Sequence, residues 1–77
     1  MILEKVTTFI AAQFNIEEDD ICEETSFEEI GADEVDIAEL VLAIEGEFEI
    51  ELSDDEVNSL STVSDLTDII EKAISLG

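Results

Sequence analysis

The side chains of this chain that could do chemistry are almost all carboxylates. Its 77 residues include 23 aspartates and glutamates, no histidine, one cysteine (Cys22) and two basic residues, Lys5 and Lys72. The common catalytic constellations pair a nucleophile with a histidine or a similar base. With no histidine and one cysteine, they cannot be assembled here. Carboxylate pairs are so frequent in this chain that finding one does not indicate catalysis. We therefore predict that the protein is not an enzyme.

The carboxylates also fail to form a recognisable calcium loop. An EF-hand places aspartate or asparagine at alternate positions and then requires a glycine. Counted from Asp33, the glycine position holds Ala38; counted from Asp54, it holds Ser59. The sequence therefore predicts no dedicated metal site, and only weak, nonspecific binding of divalent cations.

The formal net charge of −21 sets the kind of partner that the chain can have. Binding nucleic-acid phosphates or an anionic membrane needs a basic patch, and Lys5 and Lys72 cannot build one. A basic protein surface is the natural partner. Residues 1–77 are predicted to form a single domain, because the chain is short and has no linker. Neither a secretory signal nor a membrane span is apparent, so we expect a cytoplasmic monomer.

Three longer helices and one short helix must position these side chains. Periodicity and capping signals predict helices over residues 2–14, from 33 or 34 to about 48, from 54 to about 60, and from 63 to about 74. The polar stretch 15–32 carries spaced apolar residues, so it is predicted to be a long loop attached to the core. A capping-box pattern at Ser26 predicts a short helical turn within it. The predicted fold is all-α, a small four-helix bundle.

The second helix has more apolar residues than a core face needs. At ~100° per residue, five apolar residues cluster on one side and are enough to form a core face: Ile37, Leu40, Val41, Ile44 and Phe48. Val35 and Leu42 lie on the far side, one heptad apart, beside acidic residues. An apolar centre with an acidic rim is typical of a docking face. Periodicity alone leaves open that these are ordinary exposed apolar residues.

The order and spacing of several segments resemble the acyl carrier protein family over nearly the whole chain. The densest similarity begins at Gly31-Ala32-Asp33-Glu34-Val35-Asp36. The other matching segments are 25–27, 39–45, 47–52, 54–56 and 61–65. The resemblance implies a small four-helix acyl-carrier-like bundle and a role in metabolism of the fatty-acid or polyketide type.

The resemblance also implies a site. In that family the second helix begins with Asp-Ser-Leu, and the serine hydroxyl takes a 4′-phosphopantetheine arm from coenzyme A. The acidic second helix docks on basic patches of acyl-chain-processing enzymes. Carried onto this chain, the docking residues would be Asp33, Val35, Asp36, Glu39, Leu42, Glu45 and Glu47.

Glu34 stands where the resemblance places the attachment serine. A carboxylate that attacked the coenzyme A phosphate would give a mixed anhydride, which water hydrolyses, and not a stable phosphodiester. Neither Ser26, upstream of the glycine turn, nor Ser59, near the end of a short helix, restores the motif. Cys22 lies on the loop, and we expect it to be packed or idle. The sequence therefore predicts that no cofactor is carried.

Three interpretations of Glu34 stay open. The first is loss of the arm in a chain that keeps the docking surface. The second is imitation of the phosphodiester charge by Glu34. The third is neutral drift or an engineered change. A different class of function is an acidic regulator that mimics nucleic acid or inhibits a basic partner. The spare apolar pair, Val35 and Leu42, counts against that alternative because mimicry of phosphate rows needs no apolar face.

Overall fold

A computed structural model describes residues 2–76, which form four α-helices and one short 3-10 turn. The helices are α1 (Ile2–Phe14), α2 (Glu34–Phe48), α3 (Asp54–Asn58) and α4 (Val63–Leu76), and the 3-10 turn is Glu18–Asp20. The predicted all-α four-helix architecture is confirmed. α3 ends at residue 58 and not near 60, and α4 continues beyond the predicted 74. The 3-10 turn was not predicted.

The core is formed by one apolar side each of α1, α2 and α4. Seven side chains in these helices are fully buried: Val6, Ile10, Leu40, Ile44, Val63, Leu66 and Ile70. Ile21 and Phe27 of the long first loop complete the cluster. The loop is therefore part of the core. The expectation that its spaced apolar residues attach it there is confirmed.

Backbone hydrogen bonds tie the long loop to the connection between α3 and α4. The amide of Phe27 donates to the carbonyl of Ser61 at 3.0 Å, and the amide of Val63 donates to the carbonyl of Thr25 at 3.0 Å. Ser26 and Glu29 exchange the expected capping-box hydrogen bonds of 3.0 and 3.1 Å, but residues 27–31 form turns and not a helix. These contacts fix the loop that leads directly into α2.

None of the helices within residues 2–76 has the length and apolarity that crossing a membrane would require.

Candidate acidic docking helix

The start of α2 is fixed by its own side chains. Gly31 adopts a positive φ of 75°, a conformation that glycine reaches without steric cost. Asp33 is the N-cap: its Oδ1 accepts from the amide of Asp36 at 2.9 Å, and Oδ2 of Asp36 accepts from the amide of Asp33 at 3.3 Å. Glu34 is therefore the first residue of α2, and its side chain is exposed.

A contact from α1, which the sequence did not predict, also holds this first turn. Nε2 of Gln13 donates to the backbone carbonyl of Asp36 at 2.7 Å. The two residues are 23 positions apart, so no local pattern could have indicated the pair. Gln13 fixes the end of α1 against the helix start that carries Glu34.

A shallow cavity of about 380 Å³, lined by both polar and apolar side chains, lies beside Glu34, between α2 and the end of α3. Its lining residues are Glu34, Ile37, Ala38, Val57, Asn58 and Leu60. A second cavity of about 400 Å³ shares Ile37 and Leu60 with it and reaches Phe27 of the loop. Glu34 thus lines an open cleft of mixed polar and apolar character.

The outward side of α2 carries the spare apolar residues that the sequence indicated. Val35 is 64% exposed and Leu42 is 68% exposed. On the opposite side, Leu40, Val41 and Ile44 are buried. Glu39 is exposed on the same outward side as Val35 and Leu42. These three form a continuous exposed surface, which we call the α2 outer face.

The other acidic residues of the predicted docking set make hydrogen bonds or an ion pair with other residues of the chain. Asp33 and Asp36 cap α2, as described above. Glu45 is half-buried and its Oε2 accepts from the amide of Leu52 at 2.8 Å. Glu47 pairs with Lys5 of α1, with 2.7 Å between the oxygen and the nitrogen. Of the seven predicted positions, Val35, Glu39 and Leu42 are thus the ones that are exposed and make no such side-chain bond among residues 2–76.

The hydroxyl and thiol groups that could replace the attachment serine are not part of the start of α2. Ser59 follows α3, and its Oγ donates to the carbonyl of Glu56 at 2.9 Å. Ser26 Oγ accepts from the amide of Glu29. Cys22 is exposed on the loop and lies 3.4 Å from Oγ1 of Thr25, so it is not packed in the core. No group of three or more acidic or cysteine side chains among residues 2–76 is arranged to hold a metal ion.

Comparison with known proteins identifies the class to which this helix and its bundle belong. A family model described as a phosphopantetheine attachment site matches residues 4–70. The chain therefore belongs to the phosphopantetheine attachment-site family, the family of the acyl carrier proteins. Members of this family are carriers and not catalysts.

Solved structures of acyl carrier proteins have the same fold. The protein from Thermotoga maritima is 29% identical, with a TM-score of 0.84 over 95% of this chain and 86% of that chain. The protein from Enterococcus faecalis is 32% identical, with a TM-score of 0.80 over 94% of this chain and 92% of that chain. The holo acyl carrier protein from Geobacter metallireducens, at 24% identity and a TM-score of 0.83 over 96% of this chain and 86% of that chain, is similar in fold.

The family's arm needs an acceptor hydroxyl, and the start of α2 offers none. Its first residues are Asp33, Glu34, Val35 and Asp36, three carboxylates and one alkyl side chain. The residues present at this helix start do not fit covalent attachment of phosphopantetheine.

Proposed function

We propose that this protein is an acyl-carrier-like docking protein of fatty-acid or polyketide-type metabolism. It binds basic surfaces of acyl-chain-processing enzymes through α2 and carries no phosphopantetheine arm. The observation that carries the proposal is Glu34: it is an exposed carboxylate on the first residue of α2, directly beside the exposed Val35. The start of α2 thus combines a side chain that can contact a partner enzyme with a residue that cannot accept the phosphopantetheine arm.

The chemistry of Glu34 supports the absence of an arm. A serine hydroxyl that attacks the pyrophosphate of coenzyme A forms a phosphodiester and releases the nucleotide part. Attack by the Glu34 carboxylate would form an acyl phosphate anhydride, and water would return it to glutamate and free phosphopantetheine. The exposure of Glu34 leaves such an anhydride open to water.

The charge and shape of the α2 outer face support docking. Val35 and Leu42 offer apolar area for burial, and Glu39 offers a negative charge that steers a basic partner. The chain's charge of −21 adds long-range attraction to any basic surface. Nucleic-acid mimicry would use the same charge but would leave the exposed apolar pair without a role.

The test is intact-mass analysis after incubation with coenzyme A and a phosphopantetheinyl transferase. The natural chain should keep its mass, and the Glu34→Ser variant should gain the mass of one arm. The variant is the matched control, because it keeps the scaffold and the docking surface and restores only the acceptor hydroxyl.

Each other outcome contradicts a specific part of the proposal. A mass gain by the natural chain would mean that another side chain accepts the arm; the variants Ser59→Ala, Ser26→Ala and Cys22→Ala would then identify it. If Glu34→Ser also stays unmodified, either position 34 is not the equivalent of the attachment serine or α2 does not dock on the transferase. Competition between this protein and DNA for a basic partner would favour the mimic instead.

A further inference from the structure

An ion pair between α1 and α2 places one of the chain's two basic side chains on a predicted docking residue. Nζ of Lys5 lies 2.7 Å from Oε2 of Glu47, although the two residues are 42 positions apart. Their side chains are 54% and 39% exposed, so a partner can reach both of them. An exposed pair of this kind adds little to the stability of a fold. Its main effect is local, because it neutralises the charge of Glu47.

Glu47 borders the α2 outer face. It follows Glu39, a member of that face, by eight residues, which is ~80° around the helix at ~100° per residue. A partner enzyme that covers the α2 outer face can therefore reach Glu47 with a long basic side chain. At that point it meets the ammonium group of Lys5, which already lies on the carboxylate.

The other lysine has no such partner. Lys72 is exposed on α4, and its side chain makes no hydrogen bond or ion pair with any residue of the range 2–76. It lines an open cleft together with Glu56 and Glu71, yet it pairs with neither of them. Acidic surroundings alone thus do not bring a lysine onto a carboxylate in this molecule. The pairing of Lys5 with Glu47 follows from the way in which α1 packs on α2.

We propose that Lys5 is an autoinhibitory residue that competes with the basic groups of a partner enzyme for Glu47. In the free protein its ammonium group occupies Oε2 of this carboxylate and repels any cation that approaches it. A partner's arginine or lysine pairs with Glu47 only by displacing Lys5, so the loss of the internal pair offsets the gain of the new one. Because the internal pair is exposed, Lys5 lowers the affinity without preventing binding. This inference rests on the proposed docking function.

The experiment measures the affinity for an immobilised acyl-chain-extending synthase with a basic docking surface. Lys5→Gln should bind about two- to fivefold more tightly than Lys72→Gln, the range expected for an exposed ion pair. Lys72→Gln is the matched control, because both variants remove one positive charge and only Lys5→Gln releases Glu47. The comparison therefore cancels the general effect of the additional net negative charge.

Glu47→Gln tests the carboxylate itself. In the natural chain this change should alter the affinity less than twofold, because Lys5 already neutralises Glu47. In the Lys5→Gln background it should remove the whole gain of that variant, and the double-mutant cycle measures this coupling. If the double variant binds as tightly as Lys5→Gln, Glu47 is not the group for which Lys5 competes, and the inference is wrong.

The remaining outcomes separate this inference from the docking function. Equal affinities of Lys5→Gln and Lys72→Gln would overturn the competition and leave docking through α2 in place. Weaker binding of Lys5→Gln would mean that Lys5 itself contacts the partner, which also overturns it. A Tm of Lys5→Gln lower by more than about 8 °C would mean that the fold depends on the pair, contrary to a merely exposed contact. If the natural chain does not bind the synthase at all, both proposals fail.

Discussion

At the residue scale, Glu49 is a weak point of the fold. It ends α2 with φ 56° and ψ 49°, in the left-handed region that disfavours a residue with a Cβ. Its carboxylate also lies at the negative end of the helix dipole, where no basic residue compensates in the last turn. We expect Glu49→Gly to stabilise the protein by about 1 kcal/mol, since glycine relieves both costs. The measurement is the urea midpoint of unfolding.

Asn15 provides the control for that change. It has nearly the same conformation, φ 57°, at the end of α1, but asparagine tolerates this region better than glutamate does. Asn15→Gly should therefore increase the free energy of unfolding clearly less than Glu49→Gly does. Glu49→Gln removes the charge and keeps the Cβ, so it separates the dipole contribution from the backbone contribution. Equal midpoints for Glu49→Gly and the natural chain would contradict the prediction.

At the element scale, capping boxes of the same kind begin two helices of very different stability. α2 is held by the buried Leu40 and Ile44, whereas α3 has no buried residue. Removing the cap of α2 with Asp33→Ala should lower the global free energy of unfolding by about 1 kcal/mol, because α2 unfolds only with the core. Chemical denaturation measures this loss. An unchanged free energy would mean that the cap of α2 contributes nothing.

The same change at α3 should act locally. Ser53 caps this helix, and the amide of Glu56 donates to its Oγ at 3.2 Å. Without the cap we expect α3 to open more often while the bundle stays folded, since few packed side chains oppose its opening. In Ser53→Ala the amides of Val57 and Ser59 should exchange hydrogen about fivefold faster, as a loss near 1 kcal/mol implies. Amides in α4 serve as the internal control and should keep their rates.

Capping and periodicity made the helices predictable, because both depend on residues close together in the sequence. The starts of α2 and α3 follow from Asp33 and Ser53 in this way. Which of the predicted docking residues have intramolecular partners did not follow, because Lys5 reaches Glu47 across 42 positions. That pair exists only once α1 packs against α2. The family resemblance predicted seven docking residues, and it did not show that Glu47 has a partner in the fold.

At the scale of the whole molecule, the charge opposes a compact fold. The radius of gyration is 11.3 Å, close to the ~11.5 Å expected for a folded chain of this length, so a net charge of −21 is held in a normal volume. The molecule measures 31 × 25 × 20 Å. Screening reaches ~30 Å at 0.01 M salt and ~10 Å at 0.1 M. At low salt each carboxylate therefore repels carboxylates throughout the molecule, and at higher salt only its neighbours.

This geometry predicts that added salt stabilises the fold. Raising NaCl from ~0.01 to ~0.1 M shortens the screening length below every dimension of the molecule, and Tm should rise. Each 1 kcal/mol of relieved repulsion should raise Tm by about 4–8 °C. Mg²⁺ and Ca²⁺ should act like each other, because no metal-binding cluster exists among residues 2–76 to distinguish them. A preference for Ca²⁺ alone would contradict diffuse screening and indicate a site.

A charge-reduced variant separates screening from other effects of salt. Glu24 and Glu28 are exposed, and their side chains make no hydrogen bond or ion pair within residues 2–76. Replacing both with glutamine lowers the negative charge without removing a known contact. The double variant should melt higher than the natural chain at low salt and gain less from added NaCl, because less repulsion remains to be screened. If Tm is flat across the salt series, or if the double variant keeps the full salt response, repulsion among the carboxylates does not limit the stability of this fold.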